Sequence, residues 1–206
     1  MQRCIEPELM ENVDQVDAFD SGRKDYAVQA FLKWYSELGG IAEGKLIDLG
    51  CGTGDYMHAL MKQYPELKIT GYDGSETMLN KARAKLLNVV CSNFSDITDS
   101  ADMVISTNTL HHIHYPDVFW NTAKQISNNV LVMDLVRPKN ESTARYIVDL
   151  LAPTDHAIFK TDFYNSLLAA FSIEELQDQI KDTNLKLKIE GDPDWLQVVL
   201  IYGQFL

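Results

Sequence analysis

The apolar positions of the chain change period several times, and each change marks an element. Across residues 26–38, Ala27, Ala30, Phe31, Trp34, Tyr35 and Leu38 recur at steps of three and four, which predicts an amphipathic helix. Gly39 and Gly40 end it, and residues 1–40 as a whole read as helical. Leu46, Ile47 and Leu49 then form an apolar run of strand length, followed at once by Gly50, Gly52 and Gly54. Behind the glycines, Met57, Leu60, Met61 and Tyr64 share one face of a helix predicted over 56–64 and closed by Pro65. Further strands are predicted at 68–73, 89–91, 101–107 and 129–136, with helices at 75–87, where Ser75 is the N-cap, and at 116–126. Such alternation specifies βαβ units with right-handed crossovers, hence a doubly wound α/β fold with a mostly parallel sheet covered on both faces.

The pattern changes after Pro138. Helices are predicted at 140–151 and 163–171, and Ser172 with Glu175 has the spacing of a capping box that opens a third over 174–183. Two strand-like runs at 185–190 and 197–202 then follow with no helix between them, separated by a turn at 191–194. Such a closing pair brings the sheet to seven strands and makes the last one antiparallel. No linker or repeat interrupts the chain, so residues 1–206 read as one domain. Residues 1–40 are expected as an N-terminal lid. Residues 138–184, with Phe159, Phe163, Tyr164, Leu167, Leu168 and Phe171, are expected either as a cover or as core.

Charge narrows the partners. A formal net charge of -12 repels phosphate backbones and anionic membranes, so nucleic acid and membrane surfaces are disfavoured and a small neutral or cationic substrate is easier to hold. No apolar run reaches membrane-spanning length and no apolar signal segment opens the chain, so a cytoplasmic protein is expected. Cys4, Cys51 and Cys91 are an odd number at unrelated spacings, which argues for reduced thiols rather than a disulfide framework or a zinc site.

The strand, the glycine turn and the following helix N-terminus make a ligand-binding corner. A dinucleotide fingerprint needs G-x-G-x-x-G, whereas this chain has G-x-G-x-G and places Asp55 where the third glycine would face a pyrophosphate. No Gly-Lys-Ser/Thr follows, so a P-loop is excluded as well. Residues 46–54, Leu-Ile-Asp-Leu-Gly-Cys-Gly-Thr-Gly, closely resemble the first motif of the class I S-adenosylmethionine-dependent methyltransferases, including the acid Asp48. Asp73 resembles the acid that ends that family's second strand, and Asn93 and Phe94 sit where the family places an adenine neighbour. Residues 106–112 resemble the region after the fourth strand, without the Asn/Asp-Pro-Pro-aromatic sequence of amino-directed nucleic-acid methyltransferases.

The resemblance implies S-adenosyl-L-methionine as cofactor. It also implies cofactor contacts at Asp48, Gly50, Cys51, Gly52, Gly54, Asp73, Gly74, Asn93, Phe94 and Asn108. It implies methyl transfer to an acceptor by in-line displacement, in which orientation and exclusion of water matter most. A small-molecule acceptor is expected outside the carboxyl ends of the strands, beside His111, His112, His114 and Tyr115. His112 is the first choice for a base, with loop stabilisation as the competing role. Tyr26 and Arg137 are the expected substrate contacts, Arg137 having a surface salt bridge as its other reading. No metal site is expected, because His111, His112 and His114 do not converge easily from one turn. A cofactor-binding module without catalysis on the same fold is the alternative.

Overall fold

Strands β1 (Glu43–Leu49), β2 (Glu66–Asp73), β3 (Val89–Cys91), β4 (Met103–Thr107), β5 (Asn129–Leu135), β6 (Lys186–Gly191) and β7 (Gln197–Gln204) form one sheet in the order β3-β2-β1-β4-β5-β7-β6. These come from a computed structural model that describes residues 1–22, 24–192 and 195–205. Neighbours among β1 to β5 run parallel, and β7 is antiparallel to both β5 and β6. The expected doubly wound sheet with an antiparallel last strand is therefore present. Strand order reverses between β1 and β4, and a crevice at such a switch point is where open α/β sheets bind ligands.

Eight helices accompany the strands among the described residues: α1 (Val13–Ser21), α2 (Asp25–Glu37), α3 (Asp55–Gln63), α4 (Glu76–Ala84), α5 (Pro116–Ile126), α6 (Glu141–Leu151), α7 (Ala157–Ala169) and α8 (Ile173–Ile180). The period-2 alternation of β1 divides the core. Leu46 packs with Phe31 and Tyr35 of α2, Met57 and Leu60 of α3 and Leu79 of α4. Ile47 and Leu49 face the other way, onto Phe119 and Trp120 of α5 and Leu176 and Ile180 of α8. Each such side chain contributes roughly 1.5–3 kcal/mol when fully buried. A smaller cluster of Ala144, Ile147, Val148 and Leu167 joins α6 to α7, with Phe163, Tyr164 and Leu168 at its edge.

Two expectations need correction. Residues 1–12 are not helical but run as an extended strap. Pro7 disfavours helical backbone at Glu6, and the segment takes its shape from distant partners. The Arg3 guanidinium donates to the carbonyls of Ala169, His111 and Ile113, and the Cys4 N–H donates to the Leu168 carbonyl. The helix expected at 163–171 begins earlier, at Ala157, where the His156 ring accepts from the Ile158 N–H. The turn expected at 191–194 lies partly outside the described residues, at Pro193 and Asp194; Gly191 is the last residue of β6.

Candidate active site

A cavity of about 570 Å³ opens at the carboxyl ends of β1, β2, β4 and β5 and is roofed by the strap, α1, α2 and α7. Its floor is the turn from β1 into α3. Gly52, at φ +52°, lies on the cavity wall, and a Cβ there would meet nothing nearer than Met78 Cε at 3.9 Å. A left-handed backbone with open space in front of it brings main chain to a ligand without a side chain between. Gly50 and Cys51 line the cavity too. The Cys51 thiol is buried and its ionisation is pushed far up by burial, so it is a small packing group rather than a nucleophile.

Gly54 and Asp48 do not line this cavity. Gly54, at φ +78°, ends the turn as the N-cap of α3; a Cβ there would lie 2.2 Å from Leu87 Cδ1 and 3.4 Å from Ala82 Cβ. Its task is close packing of the turn against the α4–β3 connection. Asp48 points into the core on the Leu46 side of β1, is 1% exposed, and neither carboxylate oxygen has a hydrogen-bond partner. Burial, reinforced by the nearby Asp73 charge, raises its pKa to about 8. Asp48 is thus a protonated core acid at neutral pH.

Asp73 ends β2 on the cavity wall. Its Oδ2 accepts from the Gly52 N–H at 2.8 Å and its Oδ1 from the Ser75 N–H at 2.8 Å. Burial raises its pKa, and the N–H groups of Ser75, Gly52 and Gly74 oppose that shift. The carboxylate therefore ties the glycine turn to the start of α4, with lone pairs left over for a ligand. Gly74, Asn93 and Phe94 continue the same wall. The Asn93 amide donates to Asp96 at 3.2 Å, leaving its oxygen without an intramolecular task, and Phe94 stacks edge-on against Phe119. Asn108 takes a left-handed φ of 52°, which Asn tolerates, and its amide donates to Tyr56 Oη at 3.0 Å.

Asp55, at the first turn of α3, is held between two lysines, ion-paired with Lys24 and 2.6 Å from Lys85 Nζ. Burial would raise its pKa, but Lys24 and Lys85 hold it below the usual range. Lys24 lines the cavity and is itself lowered by burial. Tyr26 stands at the cavity rim, 89% exposed. Arg137 is elsewhere. Its guanidinium is bound to Glu175 at 2.9 Å and faces a separate pocket beside Met1, Ser172 and Trp195, so it does not reach the cavity.

At the opposite end from Asp73, the turn Leu110–His112 presents two imidazoles to the cavity. His111 is buried; its Nδ1 lies 2.5 Å from Asp134 Oδ1, its N–H donates to Asp134 Oδ2 at 3.0 Å, and its Nε2 has no hydrogen-bond partner. Burial would lower His111, but Asp134 and Glu6 raise it above its ordinary value, and His111 with backbone N–H groups holds Asp134 below its own. His112 is lowered to about 3 by burial and by His111 beside it. It is therefore neutral at ordinary pH and a weak proton acceptor, a correction to its place as first-choice base. Glu6, on the strap, lies 3.7 Å from His111 Nε2 and 3.4 Å from His112 Nδ1, and also accepts from the Ser166 hydroxyl. His114 turns outward, its Nε2 2.8 Å from the Glu6 carbonyl. Asp134 and Glu6 are the site residues that sequence reasoning missed. Asp134 carried one signal, a lone acid inside an otherwise apolar strand; Glu6 carried none.

Residues 46–131 match a family model described as a methyltransferase domain. A trans-aconitate 2-methyltransferase of Mycolicibacterium gilvum (strain PYR-GCK) is 31% identical over 88 residues, 40% of this chain and 33% of the relative. One of Mycobacterium marinum (strain ATCC BAA-535 / M) is 24% identical over 131 residues, 62% of this chain and 50% of the relative. The chain thus spans at most half the length of these two curated relatives. Among solved structures, a SAM-dependent methyltransferase from Aquifex aeolicus superposes with a TM-score of 0.65 at 17% identity, covering 94% of this chain and 99% of that one. The plantazolicin methyltransferase BpumL, in complex with a substrate analog and SAH, superposes with a TM-score of 0.65 at 15% identity, covering 92% and 85%. At these identities the superpositions establish the fold.

Proposed function

We propose that this chain is a class I S-adenosylmethionine-dependent methyltransferase, and that it methylates a small polar acceptor in the cavity between Asp73 and His111. The observation that carries the proposal is the Asp73 carboxylate, fixed by two backbone N–H groups and facing the open, left-handed Gly52. That pairing fits a ligand with a vicinal diol and no phosphate. Asp73 would accept from the ribose hydroxyls, the Asn93 amide oxygen and Phe94 would meet the adenine, and Gly50, Cys51, Gly52 and Asn108 would flank the methionine portion. When bound, the cofactor supplies a methyl group already activated on a sulfonium. The wall carries Glu8, Asp55, Asp73 and Asp162 against Lys24, a balance that favours cationic groups.

The remaining residues orient and exclude water. The strap, α1, α2 and α7 cover the cavity, and Phe19, Trp34, Phe159 and Phe163 give the cover an apolar inner face. Residues 1–40 and 138–184 thus act as the lid and acceptor-side cover of one domain, with Tyr26 at the entrance. The acceptor takes the His111 end, where the unpartnered Nε2 can receive a proton or a cation. The same acidic balance favours a neutral or cationic acceptor over a polyanion such as the substrate named for the trans-aconitate relatives, and it disfavours nucleic acid. A cytoplasmic setting is part of the proposal, supported by Cys4, Cys51 and Cys91 all being free thiols. Among the described residues no helix is long and apolar enough to cross a membrane.

The test is incubation with methyl-labelled cofactor and a fractionated metabolite extract, read by mass spectrometry. A labelled small molecule that disappears with Asp73→Ala supports the proposal. Labelling only of RNA or protein overturns the acceptor class, and cofactor binding with no labelled product supports a non-catalytic module.

A further inference from the structure

The cluster at the acceptor end is built like a metal centre. Glu6, His111 and His112 each offer one ligand atom, and these three atoms lie within 4.8 Å of one another. Glu6 Oε1 is 3.7 Å from His111 Nε2 and 3.4 Å from His112 Nδ1. Two ligands bound tetrahedrally at about 2.0–2.1 Å stand roughly 3.4 Å apart, so the two separations from Glu6 need only a few tenths of an ångström of adjustment. His111 Nε2 is a buried donor atom with no partner, aimed at the group. Its other nitrogen is held by Asp134 at 2.5 Å, the carboxylate–histidine arrangement that fixes ring orientation behind a metal ligand. His112 is a second imidazole, its ring centroid 4.3 Å from the first and tilted 36° to it, with its Nδ1 also 3.4 Å from the Pro7 carbonyl oxygen. His111 and His112 could not meet His114 from one turn; the third ligand instead comes from the strap.

We propose that Glu6, His111 and His112 bind one divalent first-row transition metal ion, with Asp134 as the positioning residue for His111. Two imidazoles and one carboxylate suit Zn²⁺, Co²⁺, Ni²⁺ or Fe²⁺ and leave positions open, unlike a closed structural site. Both histidines line the cavity, so a further ligand would come from there. On the methyltransferase reading, that ligand is an acceptor oxygen, which the ion would make more acidic before methylation. The ion would also clamp the strap, because Glu6 and the histidines are far apart in sequence.

The site is testable without cofactor or acceptor. The metal-free full chain would be titrated with Co²⁺ and followed by its visible d–d absorption and by calorimetry. One ion per chain is expected, with no thiolate charge-transfer band, since Cys4 and Cys91 are exposed thiols that could compete. Glu6→Gln and His112→Ala should each abolish that spectrum, and Asp134→Asn should weaken binding by about 10–100-fold. Amide exchange in residues 1–12 should slow when the ion is added and stay fast in Glu6→Gln. Thermal melts of the metal-free variants identify any that fail to fold, and Glu6→Gln, on the outer strap, is the variant least exposed to that outcome. No saturable binding, or binding unchanged in Glu6→Gln and His112→Ala, overturns the proposal whether or not the chain binds S-adenosylmethionine.

Discussion

Replacement of Asp48 by Asn should remove the pH dependence of stability that this one residue imposes. Asp48 is fully buried without hydrogen-bond partners, and its pKa rises from 3.8 to about 8 on folding. The folded chain therefore keeps a proton that the unfolded chain has already lost. Stability from this group is fully present below the unfolded value and is lost as pH rises toward the folded one. Between pH 5 and pH 8 that loss amounts to about 4 kcal/mol, at roughly 1.4 kcal/mol for each pH unit crossed. An amide of the same shape has no such titration and carries only a constant burial cost of about 1–3 kcal/mol. Urea denaturation of both proteins at the two pH values isolates the effect, because other titrating groups cancel in the difference. Wild type should hold its own or lead at pH 5 and trail Asp48→Asn by several kcal/mol at pH 8. A change in the difference below about 1 kcal/mol would refute the buried, unpartnered acid.

The two glycines of the turn should behave differently. Gly54→Ala meets Leu87 and a positive φ, so thermal melts should show a loss of roughly 2–5 kcal/mol, from about 1–2 for backbone and 1–3 for overpacking. Gly52→Ala faces open space, so it should cost only the backbone part, about 1–2 kcal/mol, while cofactor affinity measured by calorimetry falls more than stability does. Asp55 has its folded pKa held down by Lys24 and Lys85, so its contribution is present above the unfolded value and is lost as pH falls through the folded one. Asp55→Asn should flatten the acid limb of the stability profile, and a profile that superposes on wild type would contradict the ion-pair assignment. Phe119→Ala, at a fully buried position in the α5 core, should cost about 3–5 kcal/mol in urea denaturation.

The sheet and most helices were legible because their apolar periods are long and unbroken. The helix at Pro116–Ile126 follows directly from such a run, and β1 to β5 from their apolar stretches. The strap was not legible: Arg3 and Glu6 gain their places only through carbonyls and side chains more than a hundred residues away. Motif spacing grouped Asp48 and Gly54 with ligand-facing residues. On β1, however, Asp48 shares the Leu46 face and turns into the core, and Gly54 meets Leu87. Which of His111 and His112 faces Asp134 depends on a single 3-10 turn, below the resolution of any sequence period. Arg137 follows β5 directly, and the side on which it emerges is set by Glu175 of α8, a partner that no local pattern announces.

The cofactor corner can be tested most directly by calorimetric titration of S-adenosylhomocysteine into the wild-type chain, Asp73→Asn and Asp73→Ala. Wild type should bind one equivalent. Asp73→Ala should lose at least about 30-fold in affinity, the equivalent of roughly 2 kcal/mol for hydrogen bonds to a charged group, with Asp73→Asn between the two. No binding by the folded wild type, or the same affinity in all three proteins, would contradict the placement of the ribose at Asp73.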